Sequence, residues 1–272
     1  MSTSSLTPET SRHTTNASSM LRRGIPALVV VALLGVAWQV YVMVSGIRPQ
    51  VLPSPLRVVE QGWGAREVIG VHASATLQVT LIGFAVSLVC AWTLAVLVDF
   101  SPWLRRAFVP LFVVSQTLPI IAIAPLMIIW FGFGLLPKIL VIALATFFPM
   151  TIGLIEGFAA ADREAGALLR SMGASRWQEF RYVRLPSAIP RFFTALRIGI
   201  TYAVVGAVFA EYVGAQSGLG IYMATQKNSF RTDLVLAAVF VTAVISVGLY
   251  LLTFAVERVV APWVTSERNR DE

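Results

Sequence analysis

Residues whose types could do chemistry are few in this 272-residue chain, and their spacing excludes most reactions. His13 and His72 are isolated, and no Glu-x-x-His or His-Glu-x-x-His spacing exists to hold zinc or a di-iron pair. Cys90 is the single cysteine, which excludes internal disulfides and redox pairs, and its place in an apolar run assigns it to packing. There is no G-x-x-x-x-G-K-S/T phosphate loop, so by that route the chain cannot hydrolyse ATP, and no G-x-S-x-G nucleophile elbow. No catalytic residue, metal or cofactor is therefore expected.

What remains is polar groups in apolar surroundings. A charged residue at the centre of a membrane helix costs about 2.5–3.5 kcal/mol, so such groups persist at span ends, in water-filled paths or in pairs. Glu156 falls near the end of one apolar run and reads as interfacial. Glu211 reads equally as a translocation or gating residue and as an interfacial or paired acid. Ser115, Gln116 and Thr117 stand just before Pro119, with Pro125 beyond. Each proline removes a backbone donor, and broken polar helix in a membrane lines protein or water. This stretch is read as a wall of a translocation path, the alternative being a kink satisfied by neighbouring helices.

A second cluster lies in Asp162 to Pro190, a basic stretch between apolar runs. Ala165, Leu168, Leu169 and Met172 share one helical face, with Arg163, Glu164 and Arg170 off it. Gly173 interrupts the pattern. Ser175 followed by Gln178 predicts a capping box that opens a second short helix through Trp177 and Phe180, closed where Pro186 restricts Leu185. The two aromatics are expected to be displayed to a protein socket. The rival is a helix pair lying on the bilayer with arginines on phosphates.

The elements that position these groups are set by composition. With 57% hydrophobic and 13% charged residues, the chain cannot hide its apolar surface in one water-soluble core. A crossing helix takes about 20 apolar residues. Six candidate spans are near Ile25–Ser45, Ser74–Val98, Ala107–Phe131, Ile139–Phe158, Phe192–Val213 and Leu234–Val256. The runs are apolar all round, which excludes the alternating strands of a membrane barrel. The first run is longer than a signal peptide's and is expected to be retained. Arginines before span one, after span two, between spans four and five and after span six outnumber the basic residues of the opposite loops. Both termini are accordingly expected in the cytoplasm. This topology, together with anionic lipid, accounts for the net charge of +7 without nucleic acid. Trp103, Trp130 and Trp263 fit a headgroup belt. The domain reading is a disordered tail over 1–20, a transmembrane region over 21–264 containing a loop at 159–191, and a second tail over 265–272.

The sequence also resembles a known family. GAS with a following aromatic and basic stretch and LP, from Gly173 to Pro186, resembles the loop by which permease subunits of bacterial ABC importers engage their ATPases. VLPSPLRVV from Val51, SQTLPIIAIAPLMIIWFGFGLLPK from Ser115 and AEYVGAQSGLG from Ala210 are similar to the nitrate, sulfonate and taurine branch. LRSMGAS with SQTLPIIAIAPL is most similar to permeases for thiamine pyrimidine precursors. The resemblance implies an all-α polytopic protein of six transmembrane helices with the type I ABC importer permease fold. Its coupling helix would lie on the cytoplasmic side between spans four and five. It implies a permease homodimer in the bacterial inner membrane, two ATPase subunits and an extracytoplasmic substrate-binding protein. It places ATPase coupling on Glu164, Leu168, Leu169, Arg170, Met172, Gly173, Ala174, Ser175, Trp177 and Phe180. One departure is visible. The family's Glu-Ala-Ala six residues before the glycine is Ala167, Leu168, Leu169 here, with the nearest acid at Glu164. The rival functions are an ion-gradient-driven transporter, which would want inverted repeats and midplane acids, and a scaffold without transport.

Overall fold

Helix is the only regular structure among the described residues, 17–262 of the computed structural model. That is what so apolar a chain must adopt if backbone groups are to be bonded without water. In chain order, α1 (Ala17–Ser45) turns into the short α2 (Pro55–Gly64) and the long α3 (Arg66–Phe100). Next come α4 (Pro102–Ser115), α5 (Ile120–Phe131) and α6 (Leu135–Ala159). Two short helices, α7 (Arg163–Ser171) and α8 (Arg176–Glu179), lead through a π-helical turn over Phe180–Arg184 into α9 (Leu185–Gly214). The short α10 (Leu219–Asn228) and the long α11 (Thr232–Val260) complete the order. Residues 1–16 and 265–272 of the expected tails, and Trp263, lie outside the described residues.

Among the described residues, four helices are long and apolar enough to cross a bilayer: α3, α6, the continuous rod Arg176–Gly214, and α11. The described apolar part of α1 is Val29–Ser45. The run expected as a third span is two helices, α4 and α5, joined by an elbow at Gln116–Pro119. Pro119 cannot donate to the preceding turn and sits extended at φ −73°, ψ 112° ahead of α5. The amides of Thr117 and Leu118 turn back onto the Val114 and Ser115 carbonyls at 3.0 and 3.2 Å, so the break is largely bonded.

Helix α6 is the hub, packed on α9 along one side and on α3 along another. Small residues let the backbones close. A Cβ on Gly157 would stand 2.9 Å from the Cα of Ala188, and one on Gly83 would stand 2.8 Å from Ile142. The α3–α6 contact is fastened by a polar chain in which Thr146 donates to Ser87 at 2.7 Å and Ser87 to the Ala143 carbonyl at 3.2 Å. Met150, Leu154, Phe158, Phe180, Phe192 and Phe193 form the largest buried cluster, at the end of the bundle that carries α7 and α8. At the opposite end, α2 is tied to α11 by Arg57 on Asp233 at 3.1 Å and by Arg231 bridging Asp233 and Gln61 at 3.1 and 2.8 Å.

Two expectations are corrected here. Cys90 is exposed on α3 instead of packed inside, because Ser87, Ala91 and Ala95 occupy the inward stripe and Cys90 falls off it. Pro186 does not close the second short helix. Leu185 is helical at φ −63°, ψ −48°, and its amide bonds to the Phe180 carbonyl across the π turn. Pro186 thus falls in the first turn of α9, where a missing N–H is tolerated, and α8, the π turn and α9 run on as one rod.

Candidate functional site

The elbow between α4 and α5 faces α6 and α9 across a cavity of about 220 Å³ lined by Ser115, Gln116, Leu118, Phe148, Pro149 and Tyr202, among others. A second hollow of about 520 Å³ shares Gln116, Pro149 and Tyr202 with it and continues past Glu156, Arg191 and Thr194. The two make one groove along α6 and α9. Of the expected path residues, Ser115 and Gln116 reach it. Thr117 and Pro119 line neither hollow: the Thr117 hydroxyl donates to the Val114 carbonyl at 2.7 Å, and Pro119 begins α5. The Ser115 hydroxyl donates to the Leu111 carbonyl at 2.7 Å. By contrast, the Gln116 amide, the Tyr202 hydroxyl and the Glu156 carboxylate have no hydrogen-bond partner among the described residues. Pro149 also leaves the Ala145 carbonyl, in the same wall, without its i+4 donor.

Fixed positive charge is sparse there. Arg191 lines the groove next to Glu156 and donates to the Glu156 carbonyl at 2.9 Å. Arg197, which falls within the expected span Phe192–Val213, faces away. It is buried, pairs with Glu257 of α11 and lies over the Phe254 ring at 3.8 Å. Tyr202, Thr194 and Arg191 escaped the sequence reading because they share the groove only through helical register on α9.

The 162–184 segment is built largely as its caps predict. Asp162 accepts from the Glu164 amide at 2.8 Å to open α7. Gly173 takes φ +83°, and the amides of Gly173 and Ala174 bond back to the Arg170 and Leu169 carbonyls at 3.0 Å each. The reciprocal bonds of Ser175 and Gln178, at 2.7 and 3.3 Å, form the expected capping box. Leu168, Met172 and Trp177 are exposed at 63%, 75% and 60%. Glu164 is exposed in the first turn of α7, where an acid suits the helix dipole.

Phe180 corrects the expectation of two displayed aromatics. It is buried, with ring centroids 5.2 Å from both Phe100 and Phe158, because the π turn rotates it into the core; Trp177 covers it at 5.5 Å. Beneath the segment is an ion cluster the sequence reading missed. Arg184 holds Asp99 of α3 at 3.0 Å and Glu179 at 3.0 Å, and Arg170 reaches the same Glu179 oxygen at 2.8 Å. Burial alone would raise the pKa of Glu179, but the bonds from Arg170 and Arg184 prevail and hold it below the ordinary carboxylate value.

At the far end of α9, Glu211 is a structural acid rather than an open one. It is 1% exposed. Its Oε2 accepts from the Thr76 hydroxyl at 2.8 Å and from the Gly220 amide at 3.0 Å. Thr76 Oγ1 in turn accepts from the Leu219 amide at 2.8 Å, and His72 Nδ1 from the Gly218 amide at 3.1 Å. Three successive amides at the start of α10 are thus capped by side chains from α3 and α9, since Gly218 offers no cap of its own. Gly218 sits at φ +126° with its missing Cβ against the Glu211 carboxyl, at 2.1 Å.

A sequence profile for the binding-protein-dependent transport system inner membrane component matches residues 75–266. The chain belongs to this family. It is 37% identical over 245 residues to the riboflavin transport system permease protein RibX of Chloroflexus aurantiacus, covering 89% of this chain and 91% of that one. It is 34% identical over 232 residues to the formylaminopyrimidine transport permease protein ThiX of Halalkalibacterium halodurans, covering 85% and 92%. The taurine transport system permease protein TauC of Escherichia coli is 31% identical over 240 residues, covering 85% and 87%. Among solved structures, the inward-facing MetNI methionine ABC transporter superposes with a TM-score of 0.58 at 18% identity, covering 71% of this chain and 98% of that one, which shows the shared fold. The chain is thus a permease subunit of an ABC importer and not an enzyme; ATP hydrolysis is done by a separate ATPase subunit.

Proposed function

We propose that this permease crosses the bacterial inner membrane six times, through α1, α3, the α4–α5 elbow, α6, α9 and α11, with both termini and the 162–184 segment in the cytoplasm. Two copies pair around a shared path. Two ATPase chains grip the 162–184 segments, and a binding protein delivers cargo to the end bearing α2 and α10. Closure of the ATPases would move each segment together with α9, switching access to the groove.

The cargo we infer is a small, flat, neutral nitrogen heterocycle of the pyrimidine type. The observation that carries this reading is the groove's lining. A free amide and a phenol supply both donors and acceptors, and Phe148 and Tyr202 supply rings. The one arginine among its described lining residues, Arg191, donates to the Glu156 backbone carbonyl at 2.9 Å, in a hollow that also holds the Glu156 carboxylate, so the lining carries no net positive charge. A sulfonate or nitrate would want an unopposed cation, and Arg197 is already paired with Glu257.

The test is uptake into proteoliposomes holding the permease, its ATPase and its binding protein. Labelled aminopyrimidine should enter with ATP, unaffected by ionophores, and excess taurine should not compete. Uptake that follows an ion gradient without ATP would establish a secondary carrier. No uptake with any partner would leave a scaffold. ATP-driven uptake of taurine or nitrate alone would overturn the cargo assignment.

A further inference from the structure

Arg105, Arg170, Arg176 and Arg184 surround a crevice of about 480 Å³ between the end of α3, the start of α4 and the 162–184 segment. Among the described residues, two carboxylates face these four guanidinium groups, and both are engaged within the fold. Arg184 holds Asp99 at 3.0 and 3.1 Å, and Arg184 and Arg170 share one oxygen of Glu179 at 3.0 and 2.8 Å. Arg105 and Arg176 form no ion pair and donate no side-chain hydrogen bond among the described residues. A second hollow of about 300 Å³ has Arg163 joining Arg105, Arg170 and Arg184, while its additional acid, Asp162, caps α7. The base of the site is rigid, since the side chains of Asp99 and Glu179 are only 6% and 8% exposed.

This is the chemistry of a phosphate site: planar guanidinium forks, an excess of positive charge, and two arginines with unused donors. The crevice opens where a 35-residue apolar helix ends and α4 begins. Trp103, beside the Pro102 of its wall, is 74% exposed, as an indole at headgroup depth would be.

We propose that this crevice binds the headgroup phosphate of an anionic phospholipid of the inner leaflet, tethering the 162–184 segment to the membrane surface. The proposal rests on the cytoplasmic placement of that segment given above. Bound lipid would span Arg105 on α4 and Arg176 on α8.

The test uses the full permease with its ATPase in nanodiscs of phosphatidylcholine with or without phosphatidylglycerol, and native mass spectrometry of the retained lipid. Wild-type protein should retain phosphatidylglycerol preferentially. Arg105→Gln with Arg176→Gln should lower that retention about tenfold, and the paired lysine variants should keep most of it. Neither side chain holds the fold, so melting of the glutamine variant should match wild type. Equal retention of both lipids, or unchanged retention in the glutamine variant, overturns the proposal. So does displacement by inorganic phosphate as effective as by phosphatidylglycerol, which would make the ligand a soluble phosphate. Loss of ATPase co-purification by the glutamine variant with phosphatidylglycerol retention unaltered would assign the arginines to an acidic ATPase surface and likewise overturn the proposal. ATP-driven uptake by wild-type protein that retains both lipids equally leaves the importer reading standing while the lipid site falls.

Discussion

Thr76→Val tests whether the start of α10 is held by side chains from other helices. The change is nearly isosteric and removes one hydroxyl at a fully buried site. The Leu219 amide, bonded to Thr76 at 2.8 Å, would be orphaned, at a cost of about 1–3 kcal/mol. Glu211 would lose one of its two donors, worth about 0.5–1.5 kcal/mol, while keeping the Gly220 amide at 3.0 Å. Together these give about 1.5–4.5 kcal/mol of local destabilisation. At about 1.4 kcal/mol per tenfold, the open population of the α10 turn should rise by at least about tenfold, with a middle estimate near a hundredfold. Hydrogen exchange of peptides covering 216–228 in the nanodisc-embedded transporter reads this directly. Thr80→Val is the control. Thr80 is equally buried, but its hydroxyl bonds only the Thr76 carbonyl of its own helix, at 2.7 Å, so exchange at α10 should not change. If Thr76→Val alters exchange by less than about threefold, or Thr80→Val alters it as much, the three-amide cap does not hold α10.

Gly173→Val should weaken ATPase co-purification or uncouple hydrolysis from uptake. No neighbour would touch the added Cβ, so the cost is the φ of +83°, about 1–2 kcal/mol for an ordinary residue, and Gly173→Asn should be milder. Trp177→Ala should do the same without impairing insertion, and wild-type coupled uptake in both would remove the segment from the coupling role. Gln116→Leu should lower uptake while leaving dimers intact, and Gln116→Cys in a Cys90→Ala background should react with small water-soluble thiol reagents; no reaction in any nucleotide state refutes the groove. Because Glu179 is held below 4.5, its contribution to stability is complete above that pH and is lost as pH falls through the lower folded value. With the other acid of the cluster removed by Asp99→Asn, the Trp177 fluorescence, taken as the difference from Trp177→Phe, should therefore be flat from neutral pH down to 4.5 and change only below it. A transition near neutrality would contradict the arginine clamp.

How much of this could be read from the sequence depends on the range of the interaction concerned. Caps are local, so Ser175 with Gln178 and the Gly173 break were legible to the residue. The elbow was legible as disturbed helix because proline acts on its own turn, but which polar groups enter the groove was not. Thr117 turned back to its own backbone, while Tyr202, remote in sequence, supplied the opposite wall. Pro186 misled for a definite reason. The preference of a residue before proline for extended backbone was overridden by a π turn that carries Leu185 through in helical geometry. Glu211 could be recognised only as costly. Its partners Thr76 and Gly220 come from other elements, and register across α3, α9 and α10 decides their meeting.

The same long-range register explains why one rod touches every candidate site. Arg176–Gly214 is a single helix of 39 residues, roughly 58 Å long at about 1.5 Å per residue. Its first turns carry Trp177, Glu179 and Arg184, its middle carries Arg191, Thr194 and Tyr202 along the groove, and its last turns carry Glu211 beneath α10. Pro186 and Pro190 fall near the start of α9, so no proline interrupts the length beyond the groove's entrance. A displacement imposed on the 162–184 segment therefore has no hinge beyond Pro190 in which to dissipate before it reaches the groove wall and the α10 cap. The glycine and alanine contacts with α6 leave sliding along the helix axis easier than separation, because small side chains present shallow ridges while the close backbones resist parting. In this geometry a push at one membrane face is felt at the other through packing alone, which is the mechanical requirement that an ATP-driven importer places on its membrane subunit.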